Sequence, residues 1–270
     1  MAIARALGAV RRALTNPVPV LETFRRVRRL VRDWPRYYHA RLAHAPRVTL
    51  RLRGGLQLSV RPRSIDLDVA DEVIRQEAYM PGGWGPQDAQ TVVDVGAHIG
   101  TFTVLAARRW PRARVLSFEP VPENRALLEA NVRLNGCGRV QVNPEAVTGR
   151  AGARRMEVSP TNTGGHSLAE GSGGSVEVPA IPFAEVLARA GGAPIDFLKI
   201  DAEGAEYEIL ESLGPEELRL LRYVALEFHG PTRAAAAQGG SRLAALLRGQ
   251  GMEVRLASSA AGDMLYASRA

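Results

Sequence analysis

Apolar and polar residues follow three different rhythms along the 270-residue chain. Near the start, Phe24, Val27, Leu30 and Val31 recur at helical spacing, with Arg25, Arg26, Arg28, Arg29 and Arg32 on the other faces. This predicts an Arg-rich helical segment over residues 1–45, broken around Asn16-Pro17-Val18-Pro19. Residues 47–61 (RVTLRLRGGLQLSVR) alternate instead, on both sides of Gly54-Gly55, which predicts a hairpin with a two-residue turn. Residues 67–79 read as an acidic helix. From residue 91 apolar strands alternate with helices. Strands are predicted at 91–95, 114–118, 140–147, 195–200, 223–228, 252–257 and 263–268, and helices over 100–109, 122–135, 182–190, 205–213 and 241–249. Residues 159–175, rich in Gly, Ser, Thr and Asn, read as a loop. Strand–helix alternation implies a mainly parallel sheet covered on both faces. The two strands closest in sequence, at the C-terminus, would give it an antiparallel edge strand. The chain thus divides into a basic N-terminal extension, helical then hairpin, over 1–64, and an α/β domain over 65–270.

Composition narrows the choices. An apolar fraction of 46% supports a sizeable core. The single cysteine, Cys137, excludes an intrachain disulfide and a cysteine zinc cluster. It suits a reducing compartment, so a cytoplasmic location is expected. No apolar run reaches membrane-span length, and no signal-peptide pattern is read at the start. The net charge of +7 is uneven: residues 1–63 hold 15 Arg against only Glu22 and Asp33, whereas the remainder is net acidic. This segment reads either as a solvated helix packed on the body or as a contact for an anionic membrane or acidic protein partner. No nucleic-acid motif accompanies the arginines, so nucleic acid is not an expected partner.

The chemistry begins at Asp94-Val-Gly96-Ala-His98-Ile-Gly100, where the first strand of the α/β domain meets its first helix. Gly96 permits a sharp turn and Gly100 lets the helix start lie close to a ligand, with Thr101 next to it. A dinucleotide site wants G-x-G-x-x-G to seat pyrophosphate, and His98 breaks that pattern, which disfavours a nicotinamide dehydrogenase. Glu119-Pro120 closes the next strand, where an acid can accept both ribose hydroxyls. Glu145-Ala146 closes the third, at a suitable edge for an adenine ring. Together they predict an adenosine-type cofactor without pyrophosphate.

The stretches VVDVGAHIGTFT (92–103), LSFEPVPEN (116–124), GGHSL (164–168), DFLKIDAEGAEYEIL (196–210) and ALEFH (225–229) resemble the FkbM family of methyltransferases, over about residues 65–230. The resemblance implies a class I Rossmann-like methyltransferase fold and S-adenosylmethionine as cofactor. It also implies methyl transfer to hydroxyls of secondary metabolites or sugars, so a small-molecule or glycan acceptor. It places Glu119 on the ribose and Asp94 and Gly96 near the methionine end. His98 departs from the Asn that related sequences often carry.

Lys199, the only lysine, stands with Asp201, Glu203 and Glu206 around the end of the fourth strand, and Glu227 and His229 share one side of the fifth. A plain reading is a salt-bridge network that fixes the loop. In a catalytic reading, an acid or His229 removes the acceptor proton, with Lys199 orienting Asp201 or the acceptor, and Asp201 also touching the cofactor. In a metal reading, Asp201, Glu227 and His229 hold Mg, Mn or Fe, which binds the acceptor oxygen and lowers its pKa. His166 falls in the long loop, a candidate lid. Tyr79 and Glu77 are candidates to cover the cofactor. A non-catalytic cofactor-binding module, attached to a partner through the basic segment, is the alternative to an enzyme.

Overall fold

The structure, a computed structural model, describes residues 17–158, 174–258 and 262–269. The candidate lid residue His166 lies outside them. The centre is a seven-stranded sheet of β3 (Thr91–Val95), β4 (Arg114–Phe118), β5 (Val140–Asn143), β9 (Ile195–Ile200), β10 (Leu221–Glu227), β11 (Glu253–Ser258) and β12 (Asp263–Ser268). Their spatial order is β11-β12-β10-β9-β3-β4-β5. Strands β5, β4, β3, β9 and β10 run parallel, whereas β12 is antiparallel to both β10 and β11. The last two strands thus form the expected antiparallel hairpin at the sheet edge. The β11–β12 hairpin folds back so that β12 completes the hydrogen bonds of β10, and β11 takes the edge.

Strands β3 and β9 are buried along their whole length, as a parallel sheet with covered faces requires. Val93, Val95, Leu198, Ile200 and Val224 face one core, shared with helices α6 (Phe183–Arg189), α7 (Glu206–Glu211) and α9 (Arg233–Gly249). Val92, Val115, Phe197 and Ala225 face the other, shared with Phe102 and Ala106 of α4 (Thr101–Arg109) and with Trp110 and Tyr79. Side chains alternate between faces at a period of two, so successive residues feed different cores.

The N-terminal segment comprises α1 (Pro17–Leu30), α2 (Trp34–Leu42), a hairpin of β1 (Val48–Arg51) and β2 (Gln57–Val60), and α3 (Asp66–Ile74). Its apolar residues pack in one cluster with Ile99, Val104 of α4 and Leu127 of α5 (Pro122–Leu134). Helix α1 starts at Pro17, within the break expected at Asn16–Pro19, whose first residue lies outside the described residues, and a further break falls at residues 31–33. Pro17 and Pro19 occupy the first turn of α1, where a missing N–H leaves no bond unmade. Val31 then bridges to Leu52 as the chain turns. The hairpin loop has three residues, 53–55, because Leu52 pairs with Leu56.

Two further departures matter for the site. The strand predicted over 140–147 splits at Pro144, which has no N–H for a ladder. Its second half, β6 (Ala146–Thr148), joins a separate three-stranded sheet, β6-β8-β7, with β7 (Gly152–Val158) and β8 (Gly174–Pro182). The sequence pattern predicts neither β7 nor β8. Helix α9 begins at Arg233, eight residues before the predicted start, and a short helix α8 (Pro215–Arg219) precedes β10.

Candidate active site

One cavity opens along the carboxyl ends of β3, β4, β9 and β10. Gly96, His98, Glu119, Pro120, Glu145 and Ala146 border it on one side, and Asp201, Glu203, Glu227 and His229 on the other. Val69, Glu72 and Val73 of α3, together with Tyr79, add a wall from the N-terminal segment. Of the residues expected from the sequence, Asp94, Gly100, Thr101 and Lys199 do not border the cavity; they lie beneath its floor.

The floor is built by close approach. Gly96 has φ +73°, and a Cβ there would fall 1.8 Å from the Asp201 carbonyl oxygen. No other residue fits where these two strand ends meet. Gly100 has φ +84°, but its missing side chain serves a different neighbour, because a Cβ would fall 2.4 Å from Leu128 Cδ1 of α5. It permits helix packing rather than ligand approach, which corrects the role expected for it. Lys199 is buried and clamps the turn: its Nζ donates to the carbonyls of Gly96 at 2.6 Å and Val95 at 3.2 Å, and lies 3.2 Å from Asp94 Oδ1. Burial alone would lower the Lys199 pKa, but Asp94 and Asp201 raise it above the usual lysine value, so it stays charged. Asp94 also accepts from Thr103 Oγ1 at 2.6 Å. Both residues hold the turn in place from below, and Lys199 Nζ also lies 3.9 Å from Asp201 Oδ2, the carboxylate it was expected to orient.

Glu119 is buried, and its carboxylate accepts the backbone N–H of His98 at 2.8 Å and of Val121 at 2.9 Å. Burial raises its pKa. The oxygens retain lone pairs for two hydroxyls, so this cradle fits a ribose. Glu119→Gln is expected to weaken S-adenosylmethionine binding by about tenfold or more in titration calorimetry, since one amide oxygen replaces a charged acceptor. Undiminished affinity would sink the ribose assignment. Glu145 is paired with Arg189 of α6 at 2.9 Å, which lowers its pKa, and Ala146 borders the cavity beside it.

His98 stands in the left-handed region, φ +52°, which Asn, Asp and His adopt more readily than most residues. A glycine is therefore not required at this position. Its ring reaches the N-terminal segment: Nε2 lies 3.4 Å from Asp66 Oδ1 and 3.3 Å from Arg61 Nη2. Both hydrogens of Arg61 Nη2 are engaged, by Asp66 Oδ1 at 2.8 Å and Asn124 Oδ1 at 2.8 Å. The proton between His98 and Asp66 therefore sits on Nε2. Burial would raise the Asp66 pKa, but the hydrogen bonds from His98 and Arg61 outweigh it and hold the carboxyl below the usual range. Residues 61–66, which straddle the expected boundary between extension and α/β domain, thus anchor the Gly96 turn through His98.

The opposite end is acidic. Tyr79 Oη donates to Asp201 Oδ2 at 3.0 Å. His229 Nε2 lies 3.7 Å from Glu203, 3.7 Å from Glu227 and 4.0 Å from Asp201, and its Nδ1 lies 3.1 Å from the buried Glu206. Burial and then the negative charge of Asp201 push Glu203 up to about 7 and raise Glu227 as well. Burial, Asp68 and Asp201 push Glu72 up to about 7. His229 behaves oppositely: burial favours the neutral ring, but Glu206, Asp201 and Glu203 prevail and lift it to about 10. Glu72 escapes sequence reasoning, since nothing in a helical acid run singles it out. Glu77 points elsewhere and caps the Gly82 N–H at 2.8 Å.

These shifts set a pH dependence. The folded state keeps protons on Glu72 and Glu203 that the unfolded chain releases above about 4.5, and keeps one on His229 above about 6.5. Each makes stability fall as pH rises through the window between its two values. The ligand-free protein is expected to melt at lower temperature at pH 8 than at pH 5. A melting temperature that rises over that range would contradict these shifts.

A doubly wound sheet, a buried acid at the second strand end and an acidic wall beside it fit the class of S-adenosylmethionine-dependent methyltransferases. A family model described as "Methyltransferase FkbM domain" matches residues 94–254, and the chain belongs to that family. It is 30% identical over 215 residues to the 31-O-demethyl-FK506 methyltransferase FkbM of Streptomyces tacrolimicus, covering 68% of this chain and 80% of that protein. It is 30% identical over 173 residues to methyltransferase sdnD of Sordaria araneosa, covering 52% of this chain and 67% of that one. It is also 31% identical over 236 residues to the AMB antimetabolite synthetase AmbE of Pseudomonas aeruginosa, covering 71% of this chain but only 11% of that much longer protein. The chain is an S-adenosylmethionine-dependent methyltransferase, and the non-catalytic reading falls away. Among the described residues no helix is long and apolar enough to cross a membrane.

Proposed function

We propose that this enzyme methylates a hydroxyl of a small natural product or sugar, and that the carboxylates at the ends of β9 and β10 take up the proton released. The observation that carries this reading is the convergence of Asp201, Glu203, Glu227 and His229 on one cavity wall beside the Gly96 turn. Bound S-adenosylmethionine supplies a methyl already activated on a sulfonium, which leaves the chain to place the acceptor and remove its proton. Glu203 suits proton uptake best. It borders the cavity, is held with φ +49° in a turn that points it at His229, and has a pKa near neutrality. His229, expected as a base, holds its proton among four carboxylates and serves instead to steady them. Tyr79 fixes Asp201. The name of the Streptomyces relative, which specifies an oxygen of a natural product, agrees with a hydroxyl acceptor.

A second reading of the same cluster rests on one observation: Asp201, Glu227 and His229 each offer a ligand atom, all within 4.8 Å of one another. Two carboxylates and an imidazole suit Mg, Mn or Fe, and the ion would hold the acceptor oxygen and lower its pKa. The test is methyl transfer from isotopically labelled S-adenosylmethionine to a panel of sugar and polyketide alcohols, with and without chelator, read by mass spectrometry. Label on oxygen that survives chelation supports the first reading. Label on oxygen that is lost on chelation and restored by metal supports the second. Label only on nitrogen or carboxyl acceptors overturns the hydroxyl assignment.

A further inference from the structure

The N-terminal helices carry more positive charge than the fold uses. Arg25, Arg28, Arg29 and Arg32 near α1, Arg36 on α2, and Arg51 and Arg53 on the hairpin are all exposed. Several are neighbours: the Arg32 N–H donates to the Arg51 carbonyl at 2.8 Å, and Arg53 Nε donates to the Arg28 carbonyl at 2.7 Å. Asp33, one of the two acids in residues 1–63, is engaged by the Arg51 N–H at 2.9 Å. Among the described residues, the segment's arginine–carboxylate salt bridges use Arg26 and Arg61, with Asp68 and Asp66, and none of these seven. Favourable placement at a helix C-terminus explains Arg28 and Arg29. It does not explain the exposed Arg25, Arg32, Arg36 and Arg51, of which Arg32 and Arg51 are backbone neighbours.

The same helices present aromatic and apolar groups. Phe24, Trp34 and Tyr38 form a half-buried cluster, with Arg28 stacked 5.6 Å over both Phe24 and Trp34. Leu42, at the end of α2, is 80% exposed. In the sequence, residues 1–16 add Arg5, Arg11 and Arg12 without an acid, interleaved with Ile3, Leu7, Val10 and Leu14. An acidic protein surface would need the charge alone. Arginine beside tryptophan, tyrosine and exposed leucine is the combination suited to the headgroup layer of a bilayer, where guanidinium meets phosphate and amphipathic rings sit at the boundary. The patch is also close to the site: Arg26 of α1 pairs with Asp68 of α3, the helix that walls the cavity through Val69, Glu72 and Val73.

We propose that the arginine face of α1, α2 and the hairpin docks this enzyme on an anionic phospholipid surface. The test is co-sedimentation of the full chain with vesicles of phosphatidylglycerol and phosphatidylcholine, against pure phosphatidylcholine. Binding is expected only with the anionic lipid, and it weakens as salt is raised. The triple variant Arg25→Glu, Arg32→Glu, Arg51→Glu is expected to lose about a hundredfold or more in partitioning, at about fivefold per arginine removed from the surface. None of the three belongs to the cofactor or acceptor machinery, so turnover of a soluble acceptor should stay unchanged. A milder Arg→Gln triple variant, checked by thermal unfolding, separates a docking defect from a folding one. Competition by free glycerol phosphate at millimolar concentration would assign the patch to a soluble phosphate and overturn the proposal. So would absence of vesicle binding together with capture by polyglutamate, or full vesicle binding by the glutamate variant.

Discussion

Replacing Glu203 with glutamine is expected to lower kcat by about 10²–10⁴-fold, the usual worth of a positioned general base, while S-adenosylmethionine binding stays near that of the parent. Glutamine keeps the size of the side chain and the φ +49° turn, but it cannot accept a proton. The carboxylate borders the cavity, and burial beside Asp201 holds its pKa at about 7, where proton affinity and availability are balanced. The acidic limb of the kcat/KM profile should shift or vanish in the variant, whereas a purely structural role would lower the rate equally at every pH. His229→Gln should be less selective, since that ring is already protonated and touches four carboxylates. A Glu203→Gln enzyme with full turnover would remove the proposed base. Full turnover that is also abolished by chelator would move the chemistry to an ion held by Asp201, Glu227 and His229.

Gly96→Ala is expected to cost more than an alanine at any other glycine among the described residues. A left-handed φ costs alanine about 1–2 kcal/mol. Its Cβ would also fall 1.8 Å from the Asp201 carbonyl, so β3 and β9 must part at their ends. Overpacking of this kind adds about 1–3 kcal/mol. The same displacement loosens the Lys199 bond to the Gly96 carbonyl and moves Asp201 away from Tyr79. Calorimetry should show a melting temperature lower by several degrees, with S-adenosylmethionine binding weakened beyond what the stability loss explains. A melting temperature unchanged within about 2 °C would mean that the strand ends are not packed against each other as described.

The parts of this protein that are legible in the sequence are those governed by local periodicity and by short motifs. Strands 114–118 and 263–268 emerge with the observed bounds because apolar runs flanked by turn residues need no partner to be recognised. Glu119 falls on the cofactor side for the same reason: a strand end is a local feature. Helix α9 reads short in the sequence because Gly239 and Gly240 interrupt its pattern. Only packing explains them, since Cβ atoms there would strike the rings of Tyr207 and Phe228. Strands β7 and β8 are invisible in the sequence because their pairing joins residues far apart across a polar stretch.

The site divides along the same line. The sequence by itself determined the family motifs, the adenosine-type cofactor and the identity of the acidic groups, because each is encoded in a few adjacent residues. Only the tertiary structure decided where each of them sits and what surrounds it. Lys199 and Asp94 went beneath the floor because the strand register sets them opposite each other across β9 and β3. Gly100 became a packing residue because α5 crosses it. His98 found its partners in Asp66 and Arg61, more than thirty residues earlier. In the proposed function His229 yields the role of base to Glu203, because four carboxylates surround its ring. A pKa depends on burial and on charges brought near through space, and spacing along the chain carries neither.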